Sequence, residues 1–440
     1  MAEVWKEAYE NTLKWHTLAL RSGLLAPLAG VPAVNLILLL LVASSFANGA
    51  ELGDSTVRQI VEDHRWFDLR DAVSTDKSPA LYRGLAAAAF NDMARAEKEF
   101  RVVIRSGAGA DQKYAAHDAL FNASIRAGSY RRATMEAKQK WALNTSQMPP
   151  AWERTTVRLF EQLPDLAIVS RKAATVTYTT WSGGQIVTPL MINGQAARFA
   201  LDTDMNMSVI SEAGARRLGM RVSANEVAFT GVTGSSAPGG HTAVADRIEV
   251  GGTDLRNVAF LVVPDSTGKL MDYPVEERGI LGLPVLLAIQ TFRWNREHSL
   301  ELGFKPLAGR RIANLCFDGT DPLVETTVAS SRLTFVFDTG GARSAAWPTF
   351  AKQFPGLLQE AIKGSRELVG LSGTGKVDAA ILPELRMMVA NIPIVLRPAP
   401  VLLATTGSAS DWHYGTIGMD LLNQAQEVTL DFKAMTLVMK

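Results

Sequence analysis

One cysteine, Cys316, in 440 residues leaves an intrachain disulfide without a partner and provides no thiolate cluster for zinc or iron–sulfur. The six histidines, at 16, 64, 117, 241, 298 and 413, include no pair with the HExxH spacing. An excess of either charge is also missing. With 45 basic against 44 acidic side chains, there is no electrostatic case for binding nucleic acid. Glycine and proline, 35 and 19, are too few for collagen-like or low-complexity structure, and 47% hydrophobic residues argue against a mostly disordered chain. The length allows two or three domains with ample core.

The sequence does have one long uncharged run, from Leu24 to Ala43. Arg21 precedes it, and small residues follow at Ala43, Ser44, Ser45 and Ala47, which is the order of a secretory signal with its cleavage site near Ser45-Phe46-Ala47. The long, acid-containing stretch before the run, with Glu3, Glu7 and Glu10, points instead to an uncleaved membrane anchor, for which ~20 apolar residues suffice. Residues 1–47 are therefore expected to be a signal peptide or a membrane anchor. Either way, the bulk of the chain is expected outside the cytoplasm, periplasmic or extracellular.

Residues 51–147 are rich in Ala, Arg, Glu and Lys and predict helices. From Leu81 to Ile104, Leu85, Ala89, Met93, Ala96 and Phe100 fall on one face. Asn91 to Ala96 is echoed by Gly128 to Ala133, 37 positions later, with an alanine five residues after a turn former in both. This pattern resembles tetratricopeptide repeats, and a generic helical bundle reads equally well. Such a region is expected to recruit a protein partner or orient a substrate. Met148-Pro149-Pro150 ends it, a short helix follows near Trp152–Leu163, and 148–180 reads as a linker. From about Ala173, β-branched alternation and short apolar runs cut by Gly, Asn and Asp predict an all-β region.

That β half repeats itself. Phe199-Ala200-Leu201-Asp202-Thr203 and Phe335-Val336-Phe337-Asp338-Thr339 lie 136 residues apart. The steps Ile280-Leu281-Gly282 and Thr416-Ile417-Gly418 keep that offset, as do Ser208 with Ser344 and Gln290 with Gln426. Two copies of one β unit are expected over 181–308 and 309–440. Each delivers an aspartate from the end of an apolar strand into a turn, and a buried, unpaired carboxylate is costly. Brought together at a pseudo-two-fold axis, two such acids cannot both ionise, so the pair holds one proton. The ionised member can then take a proton from water attacking a peptide carbonyl, while the protonated member hydrogen-bonds the carbonyl oxygen. That chemistry requires no metal or cofactor.

Asp338-Thr339-Gly340 and the two apolar–glycine steps resemble the signatures of aspartic proteases. Ala200 to Ser211, with Arg217-Leu218-Gly219-Met220, resembles the bacterial retropepsin-like branch. The resemblance covers about residues 185–440. It implies that the α-helical, tetratricopeptide-like amino-terminal region is followed by an all-β bilobal double barrel, in which Asp202 and Asp338 are the catalytic dyad. It also implies that Thr203 and Thr339 link the two loops. The turns Gly231-Val232-Thr233-Gly234 and Gly370-Leu371-Ser372-Gly373 fall where the family has flaps that close over a peptide substrate. Glycine suits such hairpin tips. His241, just after the first turn, reads as a solvated loop residue.

The first copy departs from the pattern with Asp204, where the family has glycine. Either Asp204 points away and caps its own turn, or its charge raises the proton affinity of the cluster. Met205 and Gly341 also lack the hydroxyl that many relatives place there. An aspartic endopeptidase is the reading adopted, and a catalytically degenerate peptide or protein receptor using the same cleft is the alternative. Gly370 to Lys376 fits the GxxxxGK phosphate loop, but Val377 removes the magnesium-binding hydroxyl and Pro383 interrupts the helix that should follow.

Overall fold

The computed structural model describes residues 54–74, 77–144, 148–230, 236–266, 268–305, 312–370, 373–404 and 411–440. The apolar run 24–43 lies outside them. No helix among the described residues is long and apolar enough to cross a membrane.

Helices come first: α1 (Asp54–Glu62), α2 (Trp66–Ala72), α3 (Ala80–Ala89), α4 (Met93–Arg105), α5 (Ala110–Arg126), α6 (Tyr130–Leu143) and α7 (Ala151–Phe160). The single face expected from Leu81 to Ile104 is cut between α3 and α4. Asn91 adopts a left-handed φ of 58°, and the Asp92 side chain accepts from Arg95 N at 3.2 Å, so one helix stops and the next is capped. Gly128, with φ of 64°, makes the corresponding turn between α5 and α6. Ala96 and Ala133, the residues expected at close helix contacts, are both 0% exposed. Gly84 shows how tight those contacts are, since a β-carbon there would lie 2.6 Å from the Phe100 ring. Gly84→Val is expected to cost about 1–3 kcal/mol by overpacking, read as a lower urea midpoint at unchanged slope.

The first copy contains β1 (Ala167–Arg171), β2 (Ala174–Thr177), β3 (Thr179–Thr180), β4 (Ile186–Ile192), β5 (Gln195–Leu201), β6 (Ser208–Ser211) and β7 (Arg221–Val222). It continues with β8 (Val227–Thr230), β9 (Ser236–Val250), β10 (Thr253–Val263), β11 (Gly279–Leu281), β12 (Thr291–Asn295) and β13 (Ser299–Leu302). Strands β10-β6-β11-β5-β4-β9 run in that order, and β9 pairs back onto β10, closing a six-stranded barrel. The expected linker 148–180 is not a free connection. α7 occupies its start, and β1, β2 and β3 pair with β10, β13 and β4, adding strands to existing sheets.

The second copy contains β14 (Leu315–Asp318), β15 (Asp321–Val328), β16 (Ser331–Phe337), β17 (Ala345–Ala346), β18 (Ile362–Gly370) and β19 (Gly373–Leu382). It ends with β20 (Leu385–Val389), β21 (Ile392–Leu396), β22 (Ala399–Leu402), β23 (Gly415–Ile417), β24 (Glu427–Asp431) and β25 (Thr436–Met439). The order β22-β17-β23-β16-β15-β20 repeats the first barrel, but as a half-barrel. Where the first copy has the long β9 and β10, the second has β19 and β20, then β21 and β22. The breaks fall at Pro383 and Pro398, which lack the amide a continuous ladder uses.

A third sheet, β2-β13-β12-β24-β25, interleaves the two copies. In it Arg293 of β12 faces Thr429 of β24, and these residues are themselves 136 apart, so the axis relating the copies passes between them. The helices contact both copies. Val244 and Ala259 join Phe121, Tyr130 and Phe160 in one apolar cluster. On the other copy, the Arg126 guanidinium lies 4.3 Å over the Phe317 ring. His64 Nδ1 and His413 Nε2 meet the same Asp318 oxygen at 2.6 and 2.8 Å.

Candidate active site

Two buried apolar strands end in the aspartates. Phe199, Ala200 and Leu201 close β5, and Phe335, Val336 and Phe337 close β16. Beside them, β11 and β23 run parallel, with Ile280 against Ala200 and Thr416 against Val336. Asp202 N donates to Leu281 O and Asp338 N to Ile417 O, each at 3.0 Å. The glycines at the ends of β11 and β23 are required by space. A β-carbon at Gly282 would lie 2.5 Å from Met205 O, and one at Gly418 would lie 2.6 Å from Gly341 O. Those carbonyls accept from Leu283 N and Met419 N, both at 2.8 Å. The repeated serines serve the same turns, since Ser208 Oγ accepts from Gly282 N at 3.1 Å and Ser344 Oγ from Gly418 N at 2.9 Å.

Thr203 and Thr339 lock the loops together across the axis. Thr203 N donates to Thr339 Oγ1 and Thr339 N to Thr203 Oγ1, both at 3.1 Å. The hydroxyls then donate to Phe337 O at 2.6 Å and to Leu201 O at 2.9 Å. Both threonines are buried, so these four bonds are shielded from water and hold the carboxylates in register.

The carboxylates are held unequally. Asp202 Oδ1 accepts from Asp204 N at 2.9 Å, whereas Asp338 Oδ1 accepts from Gly341 N at 2.7 Å. Glycine at 340 is essential, because a β-carbon there would lie 2.1 Å from Asp202 Oδ2. Its counterpart, Asp204, has a side chain, and Asp338 takes its amide bond one residue further along its own loop than Asp202 does. These amides orient the acids without the hydroxyls missing at 205 and 341. Burial raises Asp202 to about 8, with the charge of Asp338 adding to the shift and the Asp204 amide opposing it. Burial raises Asp338 to about 6, against the amides of Gly341 and Gly340. The pair therefore retains a proton well above the ordinary carboxylate range.

Asp204 is exposed to solvent and makes no side-chain cap. The surrounding protein, and then the charges of Asp321, Asp338 and Asp202, hold its carboxyl well above its ordinary value. Asp204→Gly is expected to leave the alkaline limb of the activity profile in place, because a carboxyl that keeps its proton adds no charge beside the dyad. The check is kcat/KM measured across the pH range.

Two residues at the site escaped the sequence reading. Gln185 Nε2 donates to Gly340 O at 3.0 Å, tying the start of the first barrel to the second loop. Its counterpart at the 136-residue offset is Asp321, whose carboxyl is raised to about 6 by burial and then by Asp318. The offset itself was the signal that could have paired these two residues.

Gly231, Val232, Thr233, Gly234, Leu371 and Ser372 lie outside the described residues. Gly370 and Gly373 face each other at the tip of the β18–β19 hairpin, and Gly373 has φ of 125°. Gly370 thus ends one strand, and Gly373 to Lys376 lie on the next rather than at the start of a helix. His241 is not in a loop but in β9, half-buried and opposite Val262.

Residues 188–285 match the family described as Aspartyl protease. No curated protein matches the chain. Among solved structures, a retropepsin-like aspartic protease from Rickettsia conorii is similar at 16% identity and TM-score 0.22, over 30% of this chain and 93% of that one. The aspartyl protease signature is thus carried in sequence by the first copy, and the second copy repeats its site residues at the same offset.

Proposed function

We propose that this protein is an aspartic endopeptidase in which Asp202 and Asp338 together activate a water molecule. The observation that carries this reading is the four-bond threonine lock, which presents two proton-holding carboxylates from two copies of one β unit. The ionised acid takes the proton of the attacking water, and the protonated acid hydrogen-bonds the scissile carbonyl oxygen. The alternative, a degenerate receptor, drew on Asp204. The amide of Asp204 bonds Asp202 and that of Gly341 bonds Asp338, so neither the side chain at 204 nor the hydroxyls missing at 205 and 341 leave the acids unoriented. The run 24–43 supports action outside the cytoplasm.

The test is incubation of the full chain with casein between pH 3 and 8. Cleavage that pepstatin blocks is expected. Intact casein throughout, with peptides bound but never cut, would contradict the proposal.

A further inference from the structure

The two copies differ in charge on the loop that follows the dyad aspartate and on the hairpin that meets that loop. Arg343 follows Asp338 by five residues, and Arg366 lies on β18, the first strand of the hairpin tipped by Gly370 and Gly373. At the same offset the first copy has Met207 and Thr230, both uncharged. Arg366 Nη2 donates to Arg343 O at 3.2 Å, drawing the hairpin onto the loop that carries Asp338. Arg343 is exposed and Arg366 half-buried. Neither guanidinium forms an ion pair among the described residues.

The surrounding charges sharpen the point. Burial pulls Arg366 below its ordinary value, with Asp420 opposing and Arg343 adding to the shift. Asp420 is already engaged, its Oδ1 accepting from Ser344 N at 2.9 Å and from Ser344 Oγ at 2.6 Å. Asp420 therefore acts on Arg366 only from beyond ion-pair distance, and neither guanidinium has a carboxylate within that distance among the described residues. A planar carboxylate entering between them relieves their repulsion and matches their forked donors.

We propose that Arg343 and Arg366 form a carboxylate-binding subsite on the second-copy side of the peptide site. The favoured substrate then carries a carboxylate there, from an acidic side chain or from a free carboxyl terminus. This deepens the peptidase reading and rests on it.

The test uses synthetic decapeptides with a central Leu-Phe, scanned with Glu or Gln at each other position and made as free acids or amides. The full chain is expected to prefer Glu over Gln at one position by about tenfold in kcat/KM, the scale of a charged hydrogen bond. A preference for acid over amide would instead identify the terminus as the source. Arg343→Gln and Arg366→Gln should each reduce the preference, and Arg343→Glu should favour Lys at that position. Arg343 is exposed, so its variants keep the fold even if those at Arg366 do not. Equal turnover of all peptides, or a preference unchanged in the Arg343 variants, overturns the subsite. Binding to the Asp338→Asn protein, followed by fluorescence anisotropy, separates the two readings. Acid-selective binding without wild-type turnover supports the subsite while removing the peptidase, and unselective binding overturns the subsite.

Discussion

Asp202→Asn and Asp338→Asn are each expected to lower peptide hydrolysis by about a thousandfold or more, since each removes one half of an acid–base pair. The same variants carry a second signature that an ordinary surface acid lacks. Both carboxyls are raised above the unfolded value, Asp202 to about 8 and Asp338 to about 6. The folded state therefore holds their protons more tightly than the unfolded chain, and stability falls as pH rises from about 4 to about 8. An asparagine escapes that loss. Asp202→Asn should melt about 1–3 °C above the wild type at pH 8, on the order of 1–2 kcal/mol, with the difference disappearing near pH 4. Thermal melts at both values check this. A variant less stable than the wild type at pH 8 would mean that Asp202 is stabilised as a carboxylate.

Gly340→Ala should be nearly as damaging to activity without touching a titrating group. The added methyl would lie 2.1 Å from Asp202 Oδ2, so the carboxylate, the loop or both must shift. A displacement of about 1 Å at a reacting group costs on the order of a hundredfold in kcat. Gly356→Ala is the control, because nothing lies within 4 Å of a β-carbon there. The comparison is kcat on one peptide, with circular dichroism verifying that both variants fold. Equal kcat in the two variants would mean that the loop carrying Gly340 does not hold Asp202.

The centre of the site was legible because it is written twice. Asp202, Thr203, Ser208 and Gly282 each recur 136 residues on; Ser208 and Gly282 shape the turn in their own copy, and Thr203 ties that turn to the other copy. Gln185 was overlooked because its counterpart is Asp321, and the repeat preserves the position but not the chemistry. Strand 167–171 falls within the expected linker because it is short and mostly exposed, and its pairing depends on partners as distant as Thr253 to Arg256. The half-barrel was hidden in Pro383 and Pro398, which mark strand breaks only once the first copy supplies the unbroken version. His64 meets Asp318 across 254 residues, a contact that no local pattern encodes.

The central claim is that Asp202 and Asp338 share one proton across the axis between the copies. Infrared difference titration of the carboxyl stretch, comparing the wild type with the two asparagine variants, tests it most directly. A protonated carboxyl band persisting above pH 6 in the wild type, and weakened in both Asp202→Asn and Asp338→Asn, is the predicted result. Complete ionisation of both acids by about pH 5, as for ordinary exposed carboxylates, would contradict the account.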